Sequence, residues 1–262
     1  MELPMFSATM FTDLGLQIFL ASLFITFLAG IIKGAVGFAM PLVMVSGLSS
    51  IMAPQLAIGA MILPVVASNA LQTFRHGVAP VIREARVVWR YLLVVSIFIV
   101  LTAQLLPYIS TQVFYFVLGV PVVALSLIQL FGVRLTIPPE RRRRAEWGIG
   151  ALSGILGGLA GTWGPTTVLY LLAIEMPKAR QLIVQGLIYG TGAVMLLLAH
   201  LQSGIFNGAT APFSAALLVP AYAGMALGFW LGDRMDQARF RTATLIVLTV
   251  AGLNLIRKGF FG

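Results

Sequence analysis

The chain has 262 residues, 59% of them hydrophobic and 10% charged, with a formal net charge of +9. A soluble domain carries about 25% charged residues, so a water-soluble globular protein is excluded and a polytopic membrane protein is expected. In a soluble chain the basic excess would point to nucleic acid; here Lys- and Arg-rich cytoplasmic loops account for it, and no nucleic-acid partner is expected.

In chain order, the apolar stretches cover 14–50, 54–73, 91–109, 112–133, 147–174, 181–200, 212–232 and 242–256. One span needs about 20 apolar residues, and most of these stretches fit one crossing. The first and fifth do not. As one helix, 14–50 would run about 55 Å at ~1.5 Å per residue, far beyond a ~30 Å hydrocarbon core. Both long stretches hold a motif that would break them. Gly30-Ile31-Ile32-Lys33-Gly34-Ala35-Val36-Gly37-Phe38-Ala39-Met40-Pro41 returns, 124 residues later, as Gly154-Ile155-Leu156-Gly157-Gly158-Leu159-Ala160-Gly161-Thr162-Trp163-Gly164-Pro165. Residues before the first stretch include Glu2 and Asp13 rather than a basic n-region, so that stretch reads as structural and not as a cleaved signal peptide. The hydrophilic segment 134–146, with Pro138-Pro139 and the arginine run 141–144, reads as a cytoplasmic linker. It divides the chain into a first repeat half, 1–133, and a second, 147–262, of one integrated transmembrane domain.

Basic residues discriminate between two topologies. If all eight stretches cross, loops 175–180 and 233–241 lie opposite the basic loops 74–90 and 134–146. If the two broken stretches are re-entrant, every Lys and Arg outside the apolar segments lies inside except Arg257 and Lys258. The positive-inside rule favours the second arrangement. Each half then has one re-entrant hairpin and three transmembrane helices, and the odd number inverts one half relative to the other. The expected fold is therefore all-α, with inverted repeats; eight simple spans are the alternative. Broken helices at matching places in two inverted halves mark the binding site of a transporter.

The motif residues admit two readings. Glycines at spacings of three and four put small residues on one helix face and let helices pack closely. The functional reading rests on Pro41 and Pro165. Proline removes a backbone donor and turns the preceding residue from helical angles, so the chain is expected to unwind at 37–41 and 161–165. Unwound backbone at membrane depth needs protein or a water-filled cavity around it. A proline-started half-helix exposes N–H groups at its positive end, which suits an anion. Lys33 is the one charge inside an apolar segment, and a charge there is a functional candidate by default; snorkelling or carbonyl pairing is the alternative. The candidate substrate contacts are Lys33, Gly34, Gly37, Phe38, Pro41 and Asn69 with Gly158, Gly161, Thr162, Trp163, Pro165 and Gln185. Most other polar residues of the following segments, among them Gln72, Thr73 and Tyr189, read as interhelical hydrogen-bonding groups. His76 and His200 recur at the same offset and read as helix-end residues.

Several chemistries are not supported. With no cysteine there is no disulfide framework, thiolate metal site or iron–sulfur cluster. No Walker motif, HExxH or Ser/His/Asp arrangement occurs. No Asp or Glu lies mid-span, which argues against a carboxylate proton relay. No enzyme activity, cofactor or metal is expected.

At the doubled Gly-x-x-x-Gly-x-x-Gly-x-x-x-Pro motif the chain resembles the TauE/SafE family of sulfite exporters, also called the toluene sulfonate uptake permease group. The resemblance extends over roughly 15–257. It implies a multi-pass protein of a bacterial inner membrane that moves sulfite, a sulfonate or a related organosulfur anion. Family members often have a denser glycine cluster where Lys33 and Phe38 stand here. Together with the residues, this gives a secondary transporter or facilitator working by alternating access, with the anion between the two turns. An anion channel using the turns as a filter and a non-catalytic assembly subunit are the alternatives. The partners expected are a small anion and membrane lipid; proton or ion coupling, homo-oligomerisation and the direction of transport stay open.

Overall fold

A computed structural model describes residues 15–48, 50–103, 111–133, 135–160, 163–202 and 204–261. Among them the regular structure is entirely helical. The helices are α1 (Leu16–Val36), α2 (Met40–Leu48), α3 (Pro54–Phe74), α4 (Val78–Ala103), α5 (Thr111–Leu130), α6 (Pro139–Ala160), α7 (Gly164–Ala173), α8 (Lys178–Gln202), α9 (Thr210–Ala216), α10 (Leu218–Asp233) and α11 (Gln237–Phe261). Among the described residues, five segments are long and apolar enough to cross a membrane: α1, residues 56–74 of α3, α8, 210–233 and α11. The chain is an all-α polytopic membrane protein.

Helix boundaries follow local chemistry. Gly37 adopts φ 86°, and its N–H caps the Lys33 carbonyl at 2.7 Å, ending α1. Ala39, also at positive φ (72°), carries the chain into α2, whose second residue is Pro41. The basic segment 139–146 is helical and forms the first turns of α6. Pro139 starts it, Glu140 lies in its first turn, and Arg142 pairs with Glu146 one turn on. The stretch 212–232 is divided at Leu217 into α9 and α10.

The helices gather into two compact units. One holds residues 1–72 and 193–234, the other 73–192 and 235–262. Each draws on both halves of the chain. In the first, α1 lies parallel to α10: a Cβ on Gly30 would come 2.6 Å from the Ala221 carbonyl, and one on Gly34 would come 2.5 Å from that of Met225. In the second, α4 lies parallel to α6, where a Cβ on Gly154 would come 2.7 Å from the Val95 carbonyl. There too α5 and α11 run antiparallel, with Gly119 against Gly252 and Phe116 edge-on to Phe260 at 4.7 Å. Small residues let these backbones approach where lipid offers no hydrophobic drive. The packing reading of Gly30, Gly34 and Gly154 thus has direct geometric support.

Within the first unit, Pro64 interrupts α3 and cannot donate to the Ala60 carbonyl. Ser214 of α9 replaces the missing donor: its hydroxyl gives a 2.9 Å hydrogen bond to Ala60 O and accepts one of 3.0 Å from the Leu63 N–H. α3, which carries Asn69, is held by this bridge.

Candidate functional site

In the first unit the structure brings two of the expected residues together. Lys33, one turn before the break in α1, is 1% exposed. Its Nζ donates to Asn69 Oδ1 of α3 at 2.7 Å, while Asn69 Nδ2 donates to Val65 O at 2.9 Å. The amide orientation follows from chemistry: an ammonium only donates and a backbone carbonyl only accepts, so Oδ1 must face Lys33. Asn69 thus accepts one of the lysine's donors. The position near the end of α1 adds favourable helix-dipole interaction for a cation. Ser22, Thr26 and Lys33 recur along the buried side of α1, and Ser68, Asn69 and Gln72 along that of α3. Phe38 is buried at the break itself, where Gly37 makes the turn, and Pro41 is half-buried in the first turn of α2. Gly34 faces α10 across the close backbone contact.

In the second unit Gly161 and Thr162 lie outside the described residues. Gly158 belongs to the last turns of α6. Trp163 caps α7, which opens with Gly164 and Pro165, and Pro165 is buried. The half-helix therefore begins as the proline predicts. Trp163 packs flat on α8 at Gly192, so closely that any Cβ there would enter the indole ring. Tyr189 Oη donates to the Gly164 carbonyl at 3.0 Å. Gln185, Tyr189 and Gly192 recur at four and three residues, one face of α8, and Gln185 is fully buried. One helix face thus carries Gln185 and fixes the second turn.

Other residues that hold this turn escaped the sequence reading. Tyr91 of α4 is fully buried, with its hydroxyl 2.7 Å from Ser153 and 3.1 Å from Thr167. Ser153 donates to Thr166 at 2.7 Å, and Thr166 donates to the Trp163 carbonyl at 3.3 Å. The Tyr91 ring stacks on Tyr170 at 4.9 Å. Thr166-Thr167 directly after Pro165 was the available signal, since hydroxyls in a membrane segment seek partners; Tyr91 carried no comparable mark.

The two turns therefore differ in chemistry. The first presents a buried lysine amine and an amide, the second an indole and a tyrosine hydroxyl. His76 lies in the turn just after α3, next to Gly77 (φ 88°), and His200 lies in the last turn of α8. Among curated proteins and among solved structures, none matches this chain. The model of the family described as "Sulfite exporter TauE/SafE" matches residues 22–255, nearly the whole chain, and the chain belongs to that family.

Proposed function

We propose that the protein is a secondary transporter or facilitator for a small sulfur-containing anion of the sulfite or sulfonate class, working by alternating access. The observation that carries this reading is Lys33: a fully buried lysine whose Nζ is held by the Asn69 amide at the foot of a broken membrane helix. A lysine at that depth in a membrane segment is a functional candidate by default, and an oxyanion is a ligand that its Nζ can bind. Asn69 positions the Lys33 Nζ. In the second unit Trp163, Pro165 and Gln185 are the proposed contacts, with the α7 N-terminus supplying donors. The cell membrane is the proposed location, the inner one in bacteria.

We further propose inverted repeats. The 124-residue offset carries the starts of α1, α2, α3 and α5 onto those of α6, α7, α8 and α11 to within two residues. The exchanged pairings α1 with α10 and α4 with α6, and the antiparallel α5 and α11, support an axis that reverses one half.

Purified protein in proteoliposomes tests the function. Saturable uptake of sulfite or a sulfonate, with counterflow driven by internal substrate, is expected. Flux that never saturates and shows no counterflow would establish a channel instead, and absence of flux for every sulfur oxyanion would reject the reading.

A further inference from the structure

In the second unit, α4 and α6 run side by side in the same direction. Arg90 reaches Glu146 at 3.3 Å, and further along Thr102 comes within 3.3 Å of the Ile155 carbonyl. Their N-terminal turns carry Arg83, Arg86 and Arg90 on α4 and the arginine run 141–144 on α6. The buried acids of this end are committed: Glu146 holds Arg90 and Arg142, and Glu84 holds Arg180 in a two-pronged contact and also touches Arg83. Arg86, Arg141, Arg143 and Arg144 are exposed and take part in no ion pair among the described residues. Glu140, exposed in the first turn of α6, is the acid beside them.

Above the arginines the surface changes in order. Trp89 and Trp147 are each 51% exposed. Trp89 lies three residues after Arg86, and Trp147 lies three and four after Arg144 and Arg143, so each shares a helix face with them. Leu93, Ile97 and Leu101 continue that face of α4, and all three are exposed. From Arg86 to Leu101 is about 22 Å at ~1.5 Å per residue, enough to run from a headgroup through one ~15 Å leaflet of hydrocarbon. Guanidinium groups, then indoles, then aliphatic side chains reproduce the sequence of a phospholipid: phosphate, interface, acyl chain.

We propose that the α4–α6 face binds an anionic phospholipid, its phosphate held by Arg86, Arg143 and Arg144 and its chains lying along Leu93, Ile97 and Leu101. The arginines discriminate by charge. The apolar stripe above them requires a lipid rather than free phosphate or a nucleic acid, neither of which has anything to place on it.

The test uses the full chain, delipidated in detergent, with phosphatidylglycerol or phosphatidylcholine added back and retained lipid counted by native mass spectrometry. Phosphatidylglycerol is expected to be retained at least ten-fold more than phosphatidylcholine. The Arg86→Gln/Arg143→Gln/Arg144→Gln variant should lose on the order of 10²-fold of that affinity, about five-fold per charge. Arg257→Gln, at the far end of α11, should retain it. Should the triple variant fail to fold, Arg144→Gln alone should lose about five-fold. Equal retention of both lipids, equal loss in the Arg257→Gln protein, or displacement of bound lipid by millimolar inorganic phosphate would overturn the proposal. Transport activity does not enter these readouts.

Discussion

The Ser214 bridge makes a sharp energetic prediction, because it replaces one hydrogen bond that proline chemistry forbids. Ser214→Ala leaves the Ala60 carbonyl and the Leu63 N–H, two buried backbone groups, without the partner that now serves both. An orphaned buried group costs about 1–3 kcal/mol. Water entry and relaxation of α3 would offset part of this, so a net loss of about 2 kcal/mol is expected. Pro64→Ala restores the Ala60 donor and lets α3 close its own ladder. In that background Ser214→Ala should cost much less, giving a coupling of about 1 kcal/mol, within the range of hydrogen-bond cycles in membrane proteins. Reversible denaturation of the four proteins in mixed micelles measures all the terms. Additive costs, with no coupling, would refute the assignment of Ser214 to the missing rung.

Three further outcomes follow from the packing and charge. Gly34→Ala would drive a methyl into the Met225 backbone and is expected to cost about 1–3 kcal/mol, whereas Gly148→Ala, with nothing within 4 Å, should be neutral or stabilise α6 by up to ~1 kcal/mol; denaturation midpoints compare the two. Arg180→Met leaves the buried Glu84 carboxylate with the longer contact to Arg83 and, because Arg180 is partly exposed, should destabilise by about 1–3 kcal/mol. The Arg180→Met/Glu84→Gln double variant should recover most of that in the same assay. Cysteines at Ala179 and Arg142, introduced one at a time, should label from the same side of the membrane; labelling from opposite sides would establish eight simple spans.

Much of the fold was legible because glycine and proline write backbone breaks directly into sequence. Gly37 and Pro41 announced the break between α1 and α2, and Pro165 the start of α7. Lys33 and Asn69 were legible as a lone charge and a lone amide in apolar surroundings, although their mutual contact required knowing that α1 and α3 pack in that register. Other features depend on partners distant in sequence. Hydropathy could not show that segment 139–146 is helical, since its stability comes from Glu140 at the N-terminus and the Arg142–Glu146 pair rather than from apolar residues. Nor could it show the division at Leu217. Tyr91 and Ser153 look like ordinary helix residues until α4 and α6 are set side by side. The grouping of α1 with α10 and of α4 with α6 is a property of packed surfaces, written only faintly in the glycines that permit it.

The central claim is that Lys33 binds the transported anion, and its most direct measurement is equilibrium affinity for sulfite in detergent, wild type against Lys33→Met. Methionine keeps the length and bulk of the side chain and removes the charge. A charge-assisted hydrogen bond contributes about 1.5–3 kcal/mol, so the dissociation constant should rise about 10- to 100-fold while the denaturation midpoint holds or increases. Unchanged affinity in a folded Lys33→Met protein would contradict the account.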